Sequence, residues 1–482
     1  MASSTVTETP VRTDREFKAE LTLLDGVMLV VGAMIGSGIF IVSADIARNM
    51  NSSGGLLLVW VVAGIITLFG ALSYGELAAA MPKAGGQYVF LREGLNPMTG
   101  FLYGWTLFMV IQTGTIAAVA VAFARFLGVF FPSVSPDVFL SFGTLHLPWG
   151  LGDIELGLSP QRIVAILVIA LLTWVNTRGI REAKWVQNTF TIAKTGALIA
   201  LIVLGITIGR NADALSTNFK DMFLGMPSGT TLILAFGAAM VGALFSSDAW
   251  NNVTFAAAEV KNPARNLPLA LAIGTGVVTV MYISANLAYL SALTIPELQN
   301  APQDRVGTLL LQSIFGGPGA YLMAAAILIS TFGCINGLIL AGARVYYAMA
   351  RDGLFFESAG RLSSHNVPRT ALIVQGVWTA LLTLTGTYGQ LLDYVIFAAL
   401  VFYALTTLAL FRLRMKAPDM PRPYKAFGYP VVPALYMVSA AGIAVILLFA
   451  KPAYSVTGLI VVLLGIPVYF LWRRNKEPGT RK

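Results

Sequence analysis

Apolar blocks of about 20 residues recur along this chain, the length a helix needs to cross the hydrocarbon of a bilayer. Twelve spans are read, at roughly 21–49, 55–81, 97–124, 162–177, 185–209, 229–258, 267–293, 318–350, 370–387, 389–411, 431–450 and 454–472. Of the 482 residues 56% are hydrophobic and only 11% are charged, and the mean hydropathy is +0.75. A soluble domain carries about 25% charged residues, so the length of the chain does not rescue a soluble reading. The expectation is an all-α integral membrane protein. The first 20 residues are polar and lack the apolar core of a cleavable signal peptide. The single cysteine, Cys334, excludes an intramolecular disulfide framework.

A net charge of +9 raises nucleic acid as a partner, but its distribution points elsewhere. With the N-terminus in the cytoplasm, the outer side holds Arg48, Arg125, Arg162, Arg210, Lys220, Arg305 and Lys451, while Lys194 and Arg344 lie inside spans. The rest of the 32 lysines and arginines gather on the cytoplasmic side. That bias orients both termini inward in a cytoplasmic membrane and ties the basic excess to topology.

Span 1 is interrupted. Its centre reads Leu29-Val-Val-Gly-Ala-Met-Ile-Gly-Ser-Gly-Ile-Phe-Ile-Val42, with Gly36-Ser37-Gly38 in the middle of membrane material. Lipid offers no water to open backbone, so an unwound stretch at that depth must line a cavity inside the protein. Five spans later, Gly242-Ala-Leu-Phe-Ser-Ser-Asp-Ala-Trp-Asn-Asn252 carries polar groups through span 6. Span 1 enters from the cytoplasm and span 6 from outside. The two breaks thus occupy matching places in two oppositely oriented halves, the pattern of transporters that hold substrate at the midplane. The expected organisation is a cytoplasmic tail (1–20), a first five-helix repeat (21–209) and a second, inverted one (229–411). Spans 11 and 12 (431–472) and a cytoplasmic tail (473–482) follow. The competing reading of the glycines, close helix packing by small residues, fits span 1 alone but not two coincident breaks.

The chemistry of the breaks follows from helix ends. A second half-helix starting around Ile39 directs N–H groups and a partial positive charge into the cavity, which suits a carboxylate. Gly36 and Gly38 let backbone approach a ligand without a Cβ in the way. Carbonyls at the end of the first half-helix, around Met34 and Ile35, and before the second break, around Phe245 and Ser246, suit an ammonium group. A zwitterionic α-amino acid fits both. Asp248, the only acidic residue well inside this region, either attracts the substrate amine or exchanges a proton, or else Ser247 or Asp248 caps the inner half-helix. Phe245 and Trp250 flank the break as large aromatics, either gating the pocket or packing. Lys194, about ten residues from the cytoplasmic end of span 5, is too deep to snorkel. It can reach carbonyls freed in span 1, standing where a cation would sit, or carry a proton if burial lowers its pKa.

These segments resemble the amino acid–polyamine–organocation superfamily, and within it bacterial relatives of the L-type amino acid transporters. Besides Gly32–Phe40, the resemblance rests on Tyr74-Gly-Glu-Leu-Ala78, Pro82-Lys-Ala-Gly-Gly-Gln-Tyr88, Trp250-Asn-Asn-Val, Glu259-Val-Lys-Asn-Pro263 and Arg265-Asn-Leu-Pro268. Phe332-Gly-Cys-Ile-Asn336, Arg344 and Ala350-Arg-Asp-Gly353 complete it. It covers about residues 20 to 475 and implies the five-plus-five inverted repeat in a bacterial cytoplasmic (inner) membrane. It further implies that Ser37 and Gly38 meet the substrate carboxylate, and that carbonyls of Met34, Phe245 and Asp248 meet the amine. Phe245 matches the aromatic gate. Lys194 stands where sodium-driven relatives hold their cation, so sodium dependence is not expected. Cys334 replaces a common serine, and Ser246-Ser247-Asp248-Ala249 is more polar than the Ala-Tyr-Gly-Gly of animal members. Loop 125–160 lacks the cysteine that joins those members to a glycoprotein, so no disulfide-linked heavy subunit is expected.

The expected function is secondary transport of neutral L-amino acids by alternating access, as sodium-independent exchange with proton symport the alternative, and with cationic or polyamine exchange disfavoured by the single carboxylate. A membrane enzyme would need a catalytic constellation within the spans, yet the only histidines, His146 and His365, lie in loops on opposite sides. No cofactor or metal is expected. A channel would need a filter-like segment, and none is visible. A nutrient sensor built on the same binding fold is separable by measuring flux.

Overall fold

The computed structural model describes residues 17–146, 153–385 and 388–474. Among them, 11 helices are long and apolar enough to cross a membrane. Span 1 comprises α1 (Leu23–Met34), a 3-10 turn (Gly38–Phe40) and α2 (Val42–Met50). Span 2 is α3 (Ser53–Ala80), followed by the connecting helix α4 (Gln87–Gly94). Span 3 runs as α5 (Pro97–Thr106), a π turn (Leu107–Ile111) and α6 (Gln112–Leu127); spans 4 and 5 are α7 (Pro160–Arg178) and α8 (Ile180–Thr207). After α9 (Ala212–Lys220), span 6 is α10 (Gly229–Ser246) followed by the single turn α11 (Asn252–Phe255), and span 7 is α12 (Pro263–Ala292).

Two short helices, α13 (Ile295–Gln299) and α14 (Val306–Phe315), lead to span 8, α15 (Gly317–Arg351). The expected ninth span is carried by α16 (Arg369–Leu382), which at 14 residues covers only about 21 Å. It stops where Thr383 caps it, and residues 386–387 lie outside the described part. Spans 10 to 12 are α17 (Tyr388–Lys416), α18 (Val431–Ala450) and α19 (Pro452–Arg474).

Spans five apart along the chain pack together, span 2 along span 7 (α3 on α12) and span 3 along span 8 (α6 on α15). Span 1 lies against α8, α12 and α15, and α10 against α2 and α3. Close approach depends on missing side chains. A Cβ on Gly32 would strike the side chains of Gln187 and Thr191, which is how α1 comes within reach of α8.

The loop read as 125–160 is not wholly irregular. Leu140–His146 and Asp153–Leu158 form an antiparallel two-stranded hairpin, β1 and β2, a minor departure from an all-α chain. Its first residues alternate, Leu140-Ser-Phe-Gly143, which is strand period rather than helix period. Arg162, placed on the outer side at the start of span 4, is buried and donates to the carbonyls of Gly157 (2.8 Å) and Leu384 (3.1 Å), fastening the hairpin to the bundle.

Buried charges elsewhere are paired, as they must be away from water. Glu259, just past the second break, meets Arg344 of α15 at 2.8 Å, both essentially inaccessible. Glu76 accepts from Arg414 (2.5 Å) and from the backbone N–H of Ala426 (2.7 Å). Asp393, near the start of span 10, pairs with Lys451 at 2.7 Å.

Candidate functional site

The first helix begins with a reciprocal cap. The Thr22 hydroxyl accepts from the N–H of Asp25, and the Asp25 carboxylate accepts from the Thr22 N–H at 2.9 Å. The same carboxylate meets Lys184 at 2.6 Å and Asn188 at 3.0 Å, tying the start of α1 to α8. The helix ends at Met34 because Ile35 turns extended (φ −73°, ψ 93°), and Gly36-Ser37-Gly38 offers little propensity to resume it. Helicity returns as the 3-10 turn Gly38–Phe40 and regains α geometry only at Val42. The expected start around Ile39 is therefore three residues early, with the tighter turn filling the interval.

The carbonyls released at the end of α1 all have partners. Lys194 Nζ donates to the carbonyl of Gly32, to that of Ile35 at 2.7 Å and to that of Ser330 at 3.4 Å. Cys334 Sγ lies 3.1 Å from the Ala33 carbonyl. The Tyr282 hydroxyl donates to Met34 O at 2.9 Å and reaches Ser246 O at 3.1 Å. Ser330 Oγ reaches the carbonyls of Ile35 (3.3 Å) and Gly36 (3.1 Å). A carbonyl has two lone pairs, so these bonds leave acceptor capacity for a ligand. Lys194 is fully buried, which removes the snorkelling reading and leaves its amine inside the unwound turn.

The second break differs from expectation in one respect. After Ser246 the backbone passes through Ser247 and Asp248, whose N–H groups donate to Ala243 and Phe245 respectively, and then Ala249 adopts φ +65°. A residue with a Cβ is disfavoured there. The inner half of span 6 was expected as a helix to 258, capped by Ser247 or Asp248. Instead α11 is one turn starting at Asn252, with Asn251 before it and no side-chain cap, and a 3-10 turn (Ala257–Glu259) follows. The strained Ala249 turns the chain before a helix can begin, so Asp248 is too early to cap it. Its carboxylate accepts from Tyr403 of α17 instead.

The two breaks touch. A Cβ on Gly38 would lie 2.8 Å from Ser246 Cβ and 3.0 Å from its Cα, so only glycine fits there. One on Gly36 would meet Cys334 Sγ at 3.2 Å. Met34, Ile35, Gly36, Ser37, Gly38, Phe245, Ser246 and Asp248 are thus drawn to one buried locus, with Lys194 and Cys334 behind the first break. Trp250 sits beyond it, packed edge-on against Tyr74 (4.8 Å between ring centres) and beside Tyr403 (5.7 Å), as part of the aromatic core.

Two cavities flank the locus. A small one of about 10 Å³ is lined by Asp248, Asn252, Tyr403, Tyr103 and Gln112 among others, and Asp248 is its only wall residue drawn from the expected substrate contacts. The other, about 170 Å³, lies beyond Ile41, Val42 and Gly242 and is ringed by Asp45, Arg48, Arg125, Asp304, Asp393 and Lys451. Among the described residues no cluster of His, Cys, Asp or Glu is suited to hold a metal ion.

Tyr282, Ser330 and Tyr403 were not anticipated. Each is one hydroxyl among several in an apolar span, a weak signal that gains meaning only from what it touches. Ser330, one helical turn before Cys334, brings a hydroxyl from span 8 to the first break, 3.1 Å from the Gly36 carbonyl.

Two chain breaks packed together inside a many-spanning bundle, with a lysine caged by backbone carbonyls, form a permease-like architecture. The sequence profile described as "Amino acid permease" matches residues 21–471. The chain belongs to the amino acid permease family. The permease is similar to the Mus musculus large neutral amino acids transporter small subunit 2, at 32% identity over 458 residues, 94% of this chain and 81% of that protein. It is 30% identical to the Homo sapiens cystine/glutamate transporter over 471 residues, covering 96% and 87% of the two chains. The Mus musculus b(0,+)-type amino acid transporter 1 is 28% identical over 458 residues, 94% of this chain and 88% of that one. The permease is therefore an integral, multi-pass membrane protein of a transporter family related to the L-type transporters, and not an enzyme.

Proposed function

We propose that this permease exchanges neutral L-amino acids across a bacterial cytoplasmic membrane by alternating access, without sodium and with both termini inside. The substrate carboxylate lies over Ser37 and Gly38 at the entrance of the second half of span 1. The amine lies against the carbonyls of Met34, Phe245 and Asp248, and Phe245 closes over it.

The observation that carries this reading is the Lys194 ammonium, 2.7 Å from the Ile35 carbonyl and hydrogen-bonded to that of Gly32. A fixed positive charge occupies the acceptors that a coupling cation would need. Relatives named for neutral amino acids, for cystine and glutamate, and for a b(0,+)-type system support an amino acid as cargo. No disulfide-linked heavy subunit is needed, since Cys334, the one cysteine, is buried in span 8.

Reconstituted in liposomes preloaded with unlabelled neutral amino acid, the protein takes up labelled substrate at a rate set by the internal pool, with or without sodium. Lys194→Ala abolishes most of this uptake while leaving the protein monodisperse in detergent. A specific observation favours proton symport as the second reading: the Asp248 carboxylate is buried and held by the Tyr403 hydroxyl. Uptake indifferent to internal substrate but lost when a pH gradient is collapsed would replace exchange with symport.

A further inference from the structure

The small cavity beside the second break contains an unanswered hydrogen-bond donor. Asn252, first residue of α11, is 2% exposed, and its side-chain Nδ2 has no partner among the described residues. Leaving a buried donor unpaired costs on the order of 1–3 kcal/mol, so such an atom needs a reason. The same atom of its neighbour Asn251 does have a partner: Nδ2 donates to Gln87 Oε1 at 2.8 Å, tying the start of α11 to α4. Asn252 instead forms part of the cavity wall, together with Gln112, Tyr103 and Asp248. Gln112 donates its amide N–H to the Leu338 carbonyl at 2.8 Å, so its remaining polar atom is an acceptor oxygen. The cavity, about 10 Å³, has room for about one water-sized group.

The wall of this compartment and the proposed substrate locus share Asp248. With carboxylate and amine held at the two breaks, the side chain is the part of an amino acid left to enter it. A methyl group there would leave the Asn252 donor unpaired. A hydroxyl would accept from it and donate onward to an acceptor such as the Gln112 amide oxygen. The small volume sets the size limit, and the orphaned amide sets the polarity.

We propose that Asn252 is a specificity-determining residue, donating from its side-chain amide to the side-chain oxygen of a small, polar, neutral amino acid. Hydroxyl-bearing substrates are thereby preferred over alkyl ones of the same size. The inference rests on the amino acid exchange reading and deepens it.

The test uses pairs of competitors that differ by one hydroxyl: serine against 2-aminobutyrate, and threonine against valine. Each competes with labelled alanine for uptake into preloaded liposomes containing the full chain. The wild type favours the hydroxyl member of each pair by about tenfold, the equivalent of about 1.4 kcal/mol. Asn252→Leu reduces that ratio to near one, and Asn252→Ala, which adds no bulk, does the same if the leucine variant fails to fold. Because the ratio compares two competitors on the same preparation, changes in total activity cancel. Wild-type ratios near one, or ratios kept in both variants, overturn the inference and leave the amide satisfied by trapped water alone. Wild-type liposomes that move no amino acid at all would instead sink the transport reading, a result distinct from lost discrimination.

Discussion

The hydroxyl of Tyr282 donates to the carbonyl of Met34 at 2.9 Å and lies 3.1 Å from the carbonyl of Ser246. One side chain of span 7 thus touches the last residue of the helix before each break. Its neighbours on α12 extend the contact: Tyr289 donates to the Ile39 carbonyl at 3.1 Å, and Asn286 accepts from Ser43 at 2.7 Å. The breaks are held in place by span 7, not by each other alone. Tyr282→Phe should lower unfolding stability by about 0.5–2 kcal/mol, since it takes away the one O–H shared by two buried carbonyls. It should also slow exchange. Urea unfolding in detergent checks the first effect, and an unchanged midpoint would show that the bridge carries no energy.

Gly38 faces Ser246 with no room for a methyl group. Gly38→Ala should therefore force the breaks apart and abolish substrate-dependent thermal stabilisation. Ser37→Leu should do likewise by filling the place assigned to the carboxylate. Retained affinity in both, by thermal shift or scintillation proximity, would remove this turn from the binding site.

Ala249 occupies a left-handed conformation, φ +65°, that glycine adopts freely. Ala249→Gly should raise stability by about 0.5–1 kcal/mol by relieving that conformation. A raised melting temperature with an unaltered monodisperse profile is the expected outcome. Destabilisation would mean that the alanine methyl contributes more in packing than the backbone loses in strain.

Glu259 and Arg344 form a buried pair that joins the segment after the second break to span 8. The backbone of residues 20 and 21 docks on the same place, with both N–H groups donating to the Glu259 carbonyl (2.9 and 2.8 Å). Arg344→Met alone should cost about 3–5 kcal/mol, because it strands a carboxylate out of water. Adding Glu259→Leu should recover most of that loss. A double variant no better than the single would show that the arginine acts through its bond to the Leu340 carbonyl instead.

The interrupted blocks at Gly36-Ser37-Gly38 and Ser246-Ser247-Asp248 were readable because membrane helices have a strict composition, so a polar or glycine-rich lapse stands out against apolar neighbours. The depth of Lys194 was readable for the same reason: an ammonium far from either end of a span must find partners inside. Helix ends were read less well. Nothing local says that Val42 rather than Ile39 resumes the α-helix, or that α11 lasts a single turn, since both depend on how Gly38 meets Ser246 and on the strained Ala249.

What the sequence determined by itself was the class of protein and the two places where its helices open, because hydropathy and backbone satisfaction are properties of short segments. Only the tertiary structure decided which groups close those openings. Tyr282, Ser330 and Tyr403 are ordinary hydroxyls until helices hundreds of residues apart bring them within 3 Å or so of a freed carbonyl or a buried carboxylate. Asp248 likewise found Tyr403 rather than a helix N-terminus, and Asn252 found a cavity rather than a partner. A hydrogen bond depends on position to within half an ångström, and that information resides in packing between spans rather than in any one of them.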